Sequence, residues 1–237
     1  MTTKVNNRMI DGMPINVLDY GAIGDGIADD TLAVQAALNA GTSKVLFPEG
    51  TYRITSKLDL NFNHRGLTIE GVGSQSYGEF NTGKPSTLQF EGISDGEFCV
   101  TLSQVYPFKA SSINIESDNW NSNGIKTEAP CRELIFDDVS IKGIAIGIEA
   151  HDTFVVRGEN LGITARSKGI SWGGGTTLQL ENLKLQGDKT GGVRLDRGIE
   201  FVYDSLQDDS PECLTCVLVV FVNIVILLFI QITLHVK

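Results

Sequence analysis

Positive charge is scarce in this chain. Its 237 residues hold 19 Lys and Arg against 29 Asp and Glu, a formal net charge of −10. Phosphate repels such a surface, which excludes nucleic acid and anionic membrane as general partners. Proline is also scarce, at six residues with no Gly-X-Y period, so collagen is excluded. Histidine is limited to three residues, and the sequence has no metal-spaced His cluster, no phosphate loop and no Ser/His/Asp motif. Of the four cysteines, Cys99 and Cys131 are isolated and read as buried free thiols. Cys213 and Cys216 form a C-x-x-C with no second pair, short of the roughly four ligands that zinc takes. Neither a metal nor a cofactor is expected. The segment from Met1 to Met13 is polar and lacks the apolar centre of a signal peptide.

What the chain does have is core-forming and turn-forming material. Hydrophobic residues make up 41%, enough for a packed core. Glycine, at 26 residues, is well above average usage and points to an architecture rich in turns. Charge is unevenly spread: from Leu214 to Val236 there is no charged residue. The sequence is thus an acidic, Gly-rich body with an apolar tail.

Near the N-terminus, Asp19-Tyr20-Gly21-Ala22-Ile23-Gly24-Asp25-Gly26 is a turn cluster. A short helix is expected over Leu32 to Asn39, with Val34, Ala37 and Leu38 on one face and Gly41 as its stop. Asp29 or Asp30 is expected to accept from the free N–H groups at its start, which explains the acidic cluster without a metal. An apolar strand, Val45 to Phe47, then meets a Pro-Glu-Gly turn and a second strand through Ile54, with the alternation continuing at Leu58 and Leu60.

The run VLDYGAIGDGIADDTLAVQAAL followed by VLFPEGTYRI resembles the opening of the pectate-lyase-superfamily β-helix domain of the bacteriophage tailspike and tail-fibre type. The upstream NRMIDGMPINVLDYGA resembles the lead-in of those tail proteins. The resemblance covers about residues 8–60 and marks a fold, with the helix capping the N-terminal end, and not an active site.

An internal repeat supports the same fold independently. Leu134, Phe136, Val139 and Ile141 recur 22 residues on as Val156, Gly158, Leu161 and Ile163, and again as Leu178, Leu180, Leu183 and Leu185. Asp137-Asp138, Glu159-Asn160 and Glu181-Asn182 interrupt the period of two, and Asn and Asp tolerate the left-handed backbone of a corner. A Gly-Ile/Val marker recurs at Gly124-Ile125, Gly147-Ile148, Gly169-Ile170 and Gly192-Val193. Earlier inward pairs are Leu67 with Ile69, Leu88 with Phe90, Val100 with Leu102, and Phe108, Ala110, Ile113 and Ile115. Such a coil cannot bury its own apolar face, and stacking builds a continuous column. The fold class is therefore all-β: a right-handed parallel β-helix, a solenoid of about 22-residue coils, with an N-terminal capping α-helix and an apolar C-terminal tail.

Stacking places Asp137, Glu159 and Glu181 in one column, neighbours ~5 Å apart and the outer pair ~10 Å. Glycosidases separate their two carboxyls by ~5–5.5 Å or ~6.5–9.5 Å, so this column is a catalytic candidate beside its plainer reading as exposed corner residues. After the Gly-Ile/Val markers stand Glu149, His151 and Asp152, then Trp172, then Arg194 and Asp196. An exposed Trp172 would stack on a sugar face, Arg194 would meet a uronate carboxylate, and Glu149 and His151 are the remaining substrate-binding candidates. Gly173-Gly174-Gly175 reads as a flexible loop.

The division expected is a lead-in over residues 1–17, a β-helix over 18–200 that is incomplete relative to the family, and a non-repeat segment over 201–237 with the apolar tail 214–236. The tail is long enough to span a membrane. The preferred reading is that the authentic frame ends near Arg197–Tyr203, with a genuine C-terminal anchor as the alternative. The resemblance implies a virion tail protein, a homotrimer working with phage tail or baseplate proteins. It would recognise, and in complete form depolymerise, bacterial surface polysaccharide. The alternatives are a non-catalytic tail adhesin or structural module, and a cellular polysaccharide lyase or glycosidase, secreted or membrane-anchored.

Overall fold

A computed structural model of the chain describes residues 13–74, 84–187, 195, 197–202, 215–219 and 229–233. Its elements run β1 (Ile15–Asn16), β2 (Asp25–Asp29), α1 (Thr31–Leu38), β3 (Lys44–Leu46), β4 (Gly50–Ile54) and β5 (Leu58–Leu60). There follow β6 (Leu67–Glu70), β7 (Ser86–Phe90), β8 (Phe98–Ser103), β9 (Phe108–Ser117), β10 (Asn123–Ala129), β11 (Cys131–His151) and β12 (Thr153–Gly173). The last are β13 (Thr177–Glu181), β14 (Lys184–Gln186), β15 (Arg197–Val202), β16 (Thr215–Val219) and β17 (Phe229–Thr233).

These strands form a parallel β-helix, each pairing with its equivalent one coil away. The first sheet stacks β1, β3, β6, the first parts of β9, β11 and β12, and β13. The second stacks β2, β4, β7, the middle parts of β9, β11 and β12, and β14. The third stacks β5, β8, β10, the ends of β11 and β12, and β15. The 22-residue period is the register itself: Leu134 lies opposite Val156 and Leu178, and Ile141 opposite Ile163 and Leu185.

The core is the column inside the three sheets. Every inward residue expected in the earlier coils, from Leu67 to Ile115, is buried. The corner between first and second sheets is made where the sequence placed it. Asp138, Asn160 and Asn182 have φ of 55°, 52° and 50°, and Ser112 joins them at 49°. The side-chain amide of Asn182 donates to Asn160 Oδ1 at 3.1 Å, so the corner carries its own ladder.

The Gly-Ile marker is a close approach of backbones. A Cβ on Gly124 would lie 2.3 Å from Gly147 O, one on Gly147 2.4 Å from Gly169 O, and one on Gly169 2.6 Å from Gly198 O. The fourth marker is therefore Gly198-Ile199 and not Gly192-Val193, because Ile170 pairs with Ile199. In the last coil more sequence separates β14, which ends at Gln186, from β15, which begins at Arg197, and a fixed period could not anticipate this. Gly192 and Val193 lie outside the described residues.

Helix α1 stands where the first coil would have supplied a strand to the third sheet. Gln35 closes the free edge of β5, donating from Nε2 to Asp59 O at 3.2 Å and accepting from Asp59 N at 3.1 Å. This covers a sheet edge that would otherwise recruit another chain. The two aspartates before the helix divide the work. Asp29 Oδ1 accepts from Thr31 N at 3.0 Å, as expected of a helix start. Hydrogen bonds from the side chains of Thr31 and Thr55 and from Thr31 N hold its carboxyl below the usual range. Asp30 turns away from the helix and is 1% exposed. It accepts from Ile23 N at 2.7 Å and Gly24 N at 3.0 Å, pinning the glycine turn.

Cys99 and Cys131 are buried and free. Burial pushes the Cys99 thiol up to about 12 and raises Cys131 as well, so neither is a ready nucleophile. Cys213 lies outside the described residues. In the apolar tail, β16 pairs antiparallel with β17, unlike the body. No helix among the described residues is long and apolar enough to cross a membrane.

Candidate functional site

The acidic column lies at the last position of the first sheet before the corner. Asp137 is in register with Glu159, and Glu159 with Glu181, one coil step of ~4.8 Å each. Asp137 pairs with Lys109 Nζ at 2.8 Å, and Glu181 accepts from Gln179 Nε2 at 3.3 Å. Glu159 is exposed. Glu159 therefore stands in water at the corner, with Asp137 and Glu181 half-buried on either side of it, beside the ladder that makes the turn.

The second candidate set is divided by the third sheet. Glu149 and His151 project outward, because their neighbours Ile148 and Ala150 are fully buried. Trp172 lies opposite Ala150 and so points inward. It is 2% exposed, and its Nε1–H donates to Thr153 O at 3.3 Å. The exposed, sugar-stacking tryptophan expected from sequence is thus a core residue, its bulk accommodated beside the small Ala150. The adjacent glycines are not a slack loop. A Cβ on Gly175 would lie 2.0 Å from Thr153 O and 2.7 Å from the Trp172 ring. Asp152 is exposed at the following corner, and Arg194 and Asp196 lie outside the described residues.

The structure adds partners that sequence reading missed. Along the outer face of the third sheet, Asp59, Thr101, Lys126, Glu149, Ser171 and Glu200 stand in one row, each in register with the next. The last four of these each directly follow a Gly-Ile marker, so the signal was present. The misplaced fourth marker directed attention to Arg194 instead of Glu200. Lys126 Nζ lies 3.1 Å from Glu149 Oε1, and Lys168 pairs with Glu200. His151 Nε2 lies 3.1 Å from Ser171 Oγ, which also donates to Glu200 Oε2 at 3.4 Å. Both glutamate side chains are 18% exposed, more enclosed than Asp137 at 37% and than exposed Glu159.

This arrangement sets two carboxylates two coil steps apart, about 10 Å between backbones, with a serine between them and a histidine beside. That is too wide for a nucleophile and its acid partner, and near the upper end of the spacing that leaves room for water. Each carboxylate has its own lysine partner. The row therefore offers fixed acceptors and ammonium donors along a straight line, the groups that recognise hydroxyls.

Residues 14–81 match the family Rhamnogalacturonase A/epimerase, pectate lyase-like. Several curated proteins share sequence with part of the chain, among them the following two. Plasmin and fibronectin-binding protein A of Streptococcus pneumoniae is 31% identical over 88 residues, 32% of this chain and 12% of that protein. Mannuronan C5-epimerase AlgE5 of Azotobacter vinelandii is 49% identical over 47 residues, 18% of this chain and 5% of that protein. The matches thus span only a small part of these relatives' length. Among solved structures, WceF of Pantoea stewartii, described as a glycan biofilm modifying enzyme with a bacteriophage tailspike-like parallel β-helix fold, superposes with a TM-score of 0.51 at 14% identity. That superposition covers 92% of this chain and 42% of WceF.

Proposed function

From a chain with the pectate-lyase-like parallel β-helix fold, matched to that family over residues 14–81, we propose a protein that recognises bacterial surface polysaccharide in the manner of a phage tailspike. The complete protein would depolymerise that glycan, acting as a homotrimer on the virion tail. The observation that carries this reading is the in-register row of Lys126, Glu149 and Glu200, with buried Ser171 tying His151 to Glu200 beneath it. Hydrogen-bonding groups repeating coil by coil give an extended glycan a matching line of contacts. The epimerase and glycan-modifying relatives support polysaccharide as the substrate class.

The ion pairs at Glu149 and Glu200 favour a second reading, a non-catalytic adhesin, since both carboxylates are already engaged by lysines of their own chain. Incubating the chain with capsule or O-antigen separates the two. Binding together with released oligosaccharides is the expected outcome for a depolymerase, and binding without release for an adhesin. Under either reading Glu149→Gln combined with His151→Ala is expected to weaken glycan affinity at least tenfold in titration. Unchanged affinity removes the row from consideration.

A further inference from the structure

At the corner between the third and first sheets, the same place on successive coils is held by Arg65, Tyr106 and Arg132. Each stands two residues before one of the paired residues Leu67, Phe108 and Leu134. Arg65 Cζ lies 4.3 Å from the centroid of the Tyr106 ring, and Arg132 Cζ lies 5.4 Å from it. Because the two arginines belong to the coils on either side, they take opposite faces of the ring. The next coil continues the place with Phe154, two residues before Val156, which is 48% exposed. The corner is thus a ladder of alternating cation and aromatic rungs, one per coil step of ~4.8 Å.

The arginines are not neutralised. Lys44, Arg53, Lys57, Lys109, Lys126, Lys142, Arg157 and Lys168 all sit within 3.5 Å of a carboxylate. Among the described residues Arg65 and Arg132 do not, and neither do Lys84, Arg166 and Lys184; of these five, Arg65 and Arg132 are the two stacked on an aromatic ring, and both are exposed. Glu133, beside Arg132 in sequence, is taken up by Arg157. Stacking on an aromatic face orients a guanidinium and leaves its N–H edge open, and that edge matches a carboxylate bidentately. Two such edges, two coil steps apart, span about a disaccharide. Tyr106, with a guanidinium on each face, sets the spacing of the two arginines, and Phe154 beyond them presents a face on which a sugar ring can rest.

We propose that this corner is a binding surface for a carboxylate-bearing polysaccharide, with Arg65 and Arg132, held apart by Tyr106, each gripping one uronate group and Phe154 supporting a sugar ring. The inference rests on the polysaccharide reading above. It assigns a second surface, separate from the outer row of the third sheet, and gives the glycan a charge.

The test uses the full chain in calorimetric titrations with oligogalacturonate and oligomannuronate, with methyl-esterified oligogalacturonate as the uncharged counterpart and dextran sulfate as the sulfated one. At least one acidic oligosaccharide is expected to bind, with the ester at least tenfold weaker. Arg65→Gln with Arg132→Gln is expected to lose at least tenfold in affinity. Arg65→Lys with Arg132→Lys is expected to recover only part of it, because charge returns without the planar fork. All the altered side chains are exposed, so an unchanged melting curve confirms that folding is intact. Absence of binding by both acidic oligosaccharides overturns the proposal, as does equal binding of the ester or full affinity in the double Gln variant. Equal or tighter binding of dextran sulfate overturns the choice of carboxylate. Loss of affinity for native surface glycan in the Glu149→Gln, His151→Ala protein, with the arginine variants unaffected, sinks the ladder and leaves the general reading standing. Failure of every glycan, native and acidic, sinks both.

Discussion

At the scale of single residues, the least replaceable positions are those where coils touch through backbone. Gly147 has no room for a methyl group, since a Cβ would meet Gly169 O at 2.4 Å and Ile163 Cγ2 at 2.5 Å. Gly147→Ala is expected to cost about 1–3 kcal/mol, the usual range for overpacking a filled interior. Denaturant titration followed by circular dichroism measures it, and an unchanged midpoint contradicts the close approach. His64 gives a pH-dependent counterpart. Its Nδ1 accepts from Asn61 N at 3.0 Å, and its Nε2 lies 2.9 Å from Asn39 Oδ1 at the end of α1. Burial holds the imidazole below the usual histidine range, against the opposing carbonyl of Asn61. The unfolded chain therefore takes up the proton more readily. The contribution of His64 is fully present above the unfolded value of ~6.5 and is lost as pH falls through the lower folded value. Stability is expected to decline from pH 7.5 to 5.5, and more steeply than in His64→Gln. Parallel slopes for the two proteins would show that His64 does not contribute.

At the scale of elements, α1 matters more as a cover than as a helix. Eight residues are too few to be stable alone, and its hold comes from packing and from the paired bonds of Gln35 to the edge of β5. Removing residues 1–41 is expected to uncover the edges of the first coils and to yield soluble oligomers or aggregate, read by light scattering after size exclusion. A monomer of unchanged melting temperature would mean that α1 protects nothing. The helix, the corners and the inward columns were all legible in the sequence, because each depends on neighbours a few residues away or on the 22-residue period. The roles of Asp29 and Asp30 were only half legible. Both carry the same chemistry, but only the path of the Ile23–Gly24 turn shows that Asp30 faces the turn and Asp29 the helix.

At the scale of the whole molecule, the solenoid gives its corners and faces separate tasks. The corner between first and second sheets is spent on the turn itself, where Asn160 and Asn182 are bonded across coils and Glu159 stands in water. Glu159→Gln and Glu181→Gln are accordingly expected to leave glycan binding and any oligosaccharide release within twofold of the parent protein in the assays above. A loss of tenfold or more would restore the acidic column as the centre of the site. The third sheet and the corner beyond it instead concentrate the enclosed glutamates, the histidine and the unneutralised arginines.

The sequence by itself determined the period, the inward columns, the left-handed corners and hence the parallel β-helix, because all of these repeat along the chain. Tertiary structure alone decided that Trp172 faces the core, that Glu200 and not Arg194 follows the fourth marker, and that Arg65 and Arg132 flank one tyrosine. The physical reason is inter-coil register. The excursions between strands vary in length, so local alternation cannot say which face a residue meets on the next coil. Only the hydrogen-bonded stacking of one coil on another fixes it.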